Sequence, residues 1–277
     1  MIRLVRRRVA AYVPKAFQQP KLKVAAGKLA NIYYEAQVSG RFDFVSSSWK
    51  PAKGALKYDT GGKCAYCEAS TDVVAHGDVE HFRPKSIYWW LALTFDNYLF
   101  SCQICNQTFK GDEFPIRGVR SPAPAMPAVL PTGVALDLLL QTLIHDATVL
   151  TDQNVTAIWA AEDADLPHPY LEDPEPLFVY EVDDLNGEIW LRSAGGGRAD
   201  RAMDAAETVL GLNREELRRL RYTDYRPFFM LRATVEHLPP ALRQDVLREL
   251  RVQQGRRQPF AGMKRFFARN WGLPGPF

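Results

Sequence analysis

Apolar residues recur at helical spacing through Ala25–Val38, where Leu29, Ile32, Tyr33 and Ala36 share one face, and this spacing predicts a helix. Residues 54–116 follow a different pattern, with short strand-like runs at Val73–Val74 and Val79–Phe82 set among cysteines, glycines and aromatics. Pro122, Pro124, Pro127 and Pro131 make 117–135 read as a loop or linker. Val134–Ile144 then predicts a short helix with one buried face. Leu177–Val182 and Glu188–Leu191 flank Asp183–Gly187 and its Asn-Gly pair, the signal of a β-hairpin. The last part of the chain reads as helical. Arg198–Leu210 places Ala202, Ala205, Ala206 and Val209 on one face, with Gly211 as its stop. Asn213 is expected as an N-cap, with Glu216 three residues on, for a helix running at least to Tyr225 and ended or kinked at Pro227. Another helix follows Pro240 through Leu242, Val246, Leu247 and Leu250.

Composition adds exclusions. The 277 residues are 47% hydrophobic and 24% charged, which rules out wholesale disorder and a collagen-like fibre. No run reaches the roughly 18 apolar residues of a membrane-spanning helix, so no membrane association is expected. Val9–Val13 is too short for the core of a signal peptide, and a cytoplasmic location follows by default. The net charge of +3 conceals a segregation. Residues 1–34 carry eight basic residues and no acid, residues 121–191 carry thirteen acids and no Lys or Arg, and residues 192–277 carry seventeen basic residues against nine acids. Basic ends suit a polyanion, whereas the acidic middle suits another contact or plain solubility.

All four cysteines lie in two CxxC pairs, Cys64/Cys67 and Cys102/Cys105, with 34 residues between them. Two such knuckles can supply four thiolates to a structural zinc ion. A dithiol redox pair is the alternative, but it would need a βαβ context that the pattern lacks. The stretch between the knuckles contains Asp78-Val-Glu-His-Phe-Arg-Pro-Lys85 and Asp96-Asn97, and Asn106 directly follows the last cysteine.

The run CAYCE…DVEHFRPKS…YWWLALTFDNYLFSCQICNQTFK…FP resembles the HNH endonuclease family in its four-cysteine form. More narrowly, it is similar to the HNH nucleases linked to retrons and to the PtuB-type nucleases of the Septu antiphage system. The strong part covers about residues 60–116, and a weaker echo continues through residues 168–174, the Asn186-Gly187 hairpin and residues 205–221. The resemblance implies a ββα-metal fold and hydrolysis of DNA phosphodiester bonds. In it, His81 would be the general base that activates water, a task suited to a side chain with a free pKa of about 6.5. Glu80, where many HNH proteins have Asp, would bind a divalent cation. Asn97 would orient the His81 ring or tie the loop together, and Asn106, at the position of the last His, would be the second metal ligand. A neutral amide oxygen there favours Mg²⁺ or Mn²⁺ over Zn²⁺. The resemblance also implies an ATPase partner of the SMC or ABC kind, for which 121–191 is a candidate docking surface.

Around these residues, Arg83, Lys85 and Lys110 are candidate phosphate contacts. Asp78 would assist the metal or cap the hairpin, and His76 reads as a solvated loop residue. Tyr88, Trp89, Trp90, Leu91 and Phe95 are expected in the core, and His145, His168 and His237 receive no role. The expected fold class is α+β, in four stretches: a basic arm and helix over 1–53, the HNH core over 54–116, a Pro-rich acidic insertion over 117–166, and a β-hairpin with a helical region over 167–277. Two other readings stand beside the DNA endonuclease: a non-catalytic zinc-ribbon module binding nucleic acid or protein, with His81 merely structural, and an HNH-fold RNase.

Overall fold

The computed structural model describes residues 1–71 and 75–276, so the Val73–Val74 run lies outside the described residues. The fold is α+β. Helix α1 spans Lys21–Ser39 and stops where Gly40 turns left-handed at φ +75°. Helix α2, Lys53–Thr60, had no clear signal, because only Leu56 and the preceding Ala52 form its buried apolar contact among lysines and glycine. Strands β1 (Asp78–His81) and β2 (Tyr98–Ser101) pair antiparallel, with Glu80 opposite Leu99 and His81 opposite Tyr98. A π-helical segment, Ile104–Lys110, follows β2 and closes on a Gly111 amide to Asn106 carbonyl bond of 2.8 Å.

Helices α3 (Gly133–Thr142) and α4 (Asp152–Trp159) occupy the Pro-rich acidic stretch, α4 starting from a reciprocal Thr151–Asn154 cap. Strands β3 (Phe178–Asp183) and β4 (Glu188–Ser193) form the expected hairpin. Four helices complete the chain: α5 (Gly197–Thr208), α6 (Glu215–Thr234), α7 (Pro240–Gln253) and α8 (Ala261–Asn270).

Two expectations about α6 are corrected. The helix does not end at Pro227 but continues to Thr234. Tyr225, Phe228 and Phe229 pack on Phe267 and Trp271 from both sides of the proline, and that packing outweighs the lost amide. Asn213 does not cap the helix. Its amide instead accepts from the Leu191 N–H at 2.9 Å and donates to the Leu191 carbonyl at 3.0 Å, satisfying a backbone position of β4.

The acidic block takes a different meaning, since most of its carboxylates are paired with basic residues of the chain. Met1, Ile2 and Leu4 are core residues. Arg6 is buried over the Tyr170 ring at 3.6 Å, and Arg8 pairs with Asp96 at 2.9 Å and Asp152 at 2.8 Å. Further along, Glu162 pairs with Arg83, Asp163 with Arg201, Glu175 with Arg265, and Glu188 with Arg218. The acidic middle is therefore spent mainly inside the chain, and the N-terminal arm is not a free basic tail. The loop expected over 117–135 extends to Thr132, where α3 takes over, and its start is tied down: amides of Arg117, Gly118 and Val119 bond to carbonyls of Asp163, Glu162 and Ala161.

Candidate catalytic cleft and metal centre

The four cysteine sulfurs all lie within 4.8 Å of one another, with Cys67 and Cys102 at 4.0 Å. A disulfide needs about 2.05 Å. A tetrahedral zinc with Zn–S bonds of about 2.3 Å has S–S edges of roughly 3.8 Å, so this set fits zinc with slight contraction. The Cys105 amide points at Cys102 Sγ, 3.4 Å away, and the Arg214 guanidinium at Cys105 Sγ, 3.7 Å away. Hydrogen bonds, first from Cys105 and then from Cys64 and Cys67, hold Cys102 well below the ordinary thiol value.

The knuckles build the cleft wall. Tyr66, inside the first CxxC, donates to Glu80 Oε1 at 3.4 Å. Lys110, at the end of the segment carrying Cys105, reaches the same oxygen at 2.7 Å and the His81 carbonyl at 3.2 Å. Burial raises the Glu80 pKa, and the Lys110 ammonium opposes that shift. Both side chains are almost wholly enclosed.

His81 packs edge-on between Trp49 and Tyr98, with ring centroids 4.9 and 5.0 Å away. Its Nε2 lies 3.0 Å from the Ala92 carbonyl. A carbonyl only accepts, so Nε2 carries the proton, and the neutral ring keeps its lone pair on Nδ1. Among the described residues no group hydrogen-bonds Nδ1. Burial pushes the His81 pKa down to about 3; the Ala92 bond opposes the shift, and Lys85 and Lys110 add to it. The ring is thus neutral at physiological pH.

Asn97 accepts from the Arg83 amide at 2.8 Å and donates to the Arg83 carbonyl at 3.0 Å. It ties the loop after β1, while Ala92 fixes the His81 ring. Asn106 donates to Asp78 Oδ2 at 3.2 Å, an oxygen that Gln107 also reaches at 2.9 Å. Glu80 faces an ammonium and Asn106 a different carboxylate. As arranged, they do not fit the expected ligand pair for a divalent cation.

A cleft of about 340 Å³ opens over this wall, lined by Trp49, Lys50, Lys53, Glu80, His81 and Lys85 among others. Lys85, a candidate phosphate contact, is at its edge, its ammonium 5.6 Å from the Trp49 ring. Lys50 and Lys53 were not foreseen, because nothing in the sequence links them to a motif some thirty residues later. Two candidate phosphate contacts are corrected. Lys110 is buried on Glu80, and Arg83 is buried in a pair with Glu162 at 2.6 Å, its guanidinium 3.9 Å above the Trp159 ring. Replacing Glu162 with Ala leaves the Arg83 charge enclosed without its partner, and thermal unfolding should report a loss of about 3–5 kcal/mol. A loss under 1 kcal/mol would mean that Arg83 finds water instead. Trp89, Trp90 and Phe95 are core residues as expected, and His168 is buried against Phe82 at 4.4 Å.

No helix among the described residues is long and apolar enough to cross a membrane. No family model matches the chain, and no solved structure matches it. Over 98 residues it is 36% identical to the Septu protein PtuB of Bacillus mycoides (strain KBAB4). That stretch takes in 31% of this chain and 33% of that protein, so the chain is similar to a Septu protein over about a third of the length of each.

Proposed function

We propose that the chain is an HNH-type endonuclease that hydrolyses DNA phosphodiester bonds as the nuclease of an antiphage defence system. The observation that carries this reading is His81: a neutral imidazole whose Nε2 faces the Ala92 carbonyl and whose Nδ1 has no hydrogen-bond partner among the described residues, in a cleft edged by Lys50, Lys53 and Lys85. In this reading Nδ1 takes a proton from the water that attacks phosphorus, and the lysines offset the charge gathering on the phosphate oxygens. β1, β2 and the segment after Cys102 would form the ββα core, with zinc on the four cysteines as its staple. The likeness to a Septu protein supports the defence role, and with it control by a partner ATPase. Dependence on Mg²⁺ or Mn²⁺ belongs to the same reading and requires Glu80 to exchange Lys110 for the cation.

A pH–rate profile tests the base. It works only when neutral, so lowering its pKa extends activity toward acid. With the His81 value held at about 3, kcat/KM should change less than about threefold between pH 8 and pH 5. A histidine at its free value of about 6.5 would lose roughly thirtyfold over that span. A decline centred near pH 6.5 would remove the enclosed His81 from the role.

A further inference from the structure

Helix α2 turns a polar face outward. Ala52, Leu56 and Asp59 are turned inward, so the one acid of α2 is buried. Outward, Lys50 and Lys53 edge the cleft, while Gly54, Lys57, Tyr58 and Gly61 line an adjoining hollow of about 340 Å³ closed by Arg257. Two guanidiniums converge on the exposed Tyr58 ring, Arg7 at 4.1 Å and Arg257 at 4.6 Å. Gly61 permits this approach: at φ +69°, a Cβ there would lie 2.8 Å from the Arg257 Cβ.

Arg6 and Arg8, on either side of Arg7, turn inward to carboxylates. Among the described residues, Arg7, Arg257, Lys50 and Lys53 have no carboxylate within ion-pair distance. Two like charges held together by one tyrosine, beside further lysines, form a surface complementary to an anion of extended shape. Eight residues of helix span about 12 Å, or roughly three to four base-pair rises of 3.4 Å.

We propose that this outward face of α2, with Arg7 and Arg257 gathered over Tyr58, is the track on which the phosphate backbone of duplex DNA lies as it enters the His81 cleft. The destination of the track rests on the nuclease reading; the binding surface does not. Two guanidiniums lie over the Tyr58 ring and compete with an unpaired base for its face. This favours backbone contact with a duplex over a single-strand stacking platform. Contacts to phosphate alone carry no sequence information, so binding on this track is expected to be indifferent to sequence.

The test is fluorescence anisotropy of the full chain with labelled 20-base-pair duplexes of unrelated sequence, titrated between 50 and 200 mM salt. Arg7→Ala with Arg257→Ala should weaken binding roughly tenfold and flatten the slope of log K against log salt by about 2. The Arg7→Lys, Arg257→Lys pair keeps the charges and should keep most of the slope, which separates lost phosphate contacts from a damaged fold. Unchanged affinity and slope in the alanine pair would overturn the track, as would tighter binding of single strands or RNA than of the duplex, or no duplex binding by the wild type. The two readings fail separately. A wild type that cleaves DNA while the alanine pair binds it normally removes the track alone. A wild type that never cleaves, but loses duplex binding in the alanine pair, removes the nuclease alone.

Discussion

Replacing Cys64 with Ser is expected to abolish the cooperative unfolding transition, or to lower Tm by at least about 20 °C. Two-stranded sheets bury little apolar surface, and β1 and β2 have only four residues each. Structural zinc in small domains contributes about 10–16 kcal/mol at neutral pH, comparable with the whole stability of an ordinary domain at about 5–15 kcal/mol. The cysteine cluster also sets the positions of Tyr66 and Lys110, and thereby of Glu80. Metal analysis should find one zinc per chain, and a strong chelator should reproduce the effect of the substitution. A chain that is metal-free as purified, with the same Tm with and without chelator, would refute the zinc assignment.

Replacing His81 with Ala should lower the rate of phosphodiester hydrolysis by about 10²–10⁴-fold, the usual contribution of a positioned general base. The substitution also removes a ring held between Trp49 and Tyr98, so a stability cost of about 1–3 kcal/mol is expected beside the kinetic one. The circular dichroism spectrum should remain that of the wild type, which assigns the lost rate to chemistry. Rates within threefold of the wild type would make His81 a structural histidine, as in the zinc-ribbon alternative. A stability effect follows from the same burial. Because the folded value lies below the free one, the unfolded chain binds the proton more tightly. The His81 contribution is complete above about pH 6.5 and is lost as pH falls toward about 3.

Local pattern served well where local forces decide the structure. The β3–β4 hairpin was legible from its Asn-Gly turn, α1 from its apolar period, and the four-cysteine cluster from two CxxC pairs using every cysteine in the chain. Asn213 misled because its side chain is claimed by β4, which no local pattern encodes. Pro227 misled because aromatic packing of α6 on α8 tolerates it. The charge segregation was visible, but its meaning was not: opposite blocks far apart in sequence can hold a partner or each other, and only the fold shows Arg8 on Asp152 and Arg83 on Glu162. The candidate site was legible in its residues more than in its pairings. His81 lies in a cleft and Asn97 ties its loop, whereas the Glu80–Lys110 pair depends on the π-helical turn that brings Lys110 back over β1. Lys50 and Lys53 stayed hidden because the wall they form comes from a helix outside the motif.

The most direct test of the central claim is incubation of zinc-loaded protein with supercoiled plasmid and Mg²⁺ or Mn²⁺, with the His81→Ala chain in parallel and, where the genome supplies one, a co-expressed ATPase neighbour. The account predicts nicked and then linear DNA from the wild type and intact supercoils from the variant. Intact plasmid under every one of these conditions, or equal cutting by both chains, would contradict it.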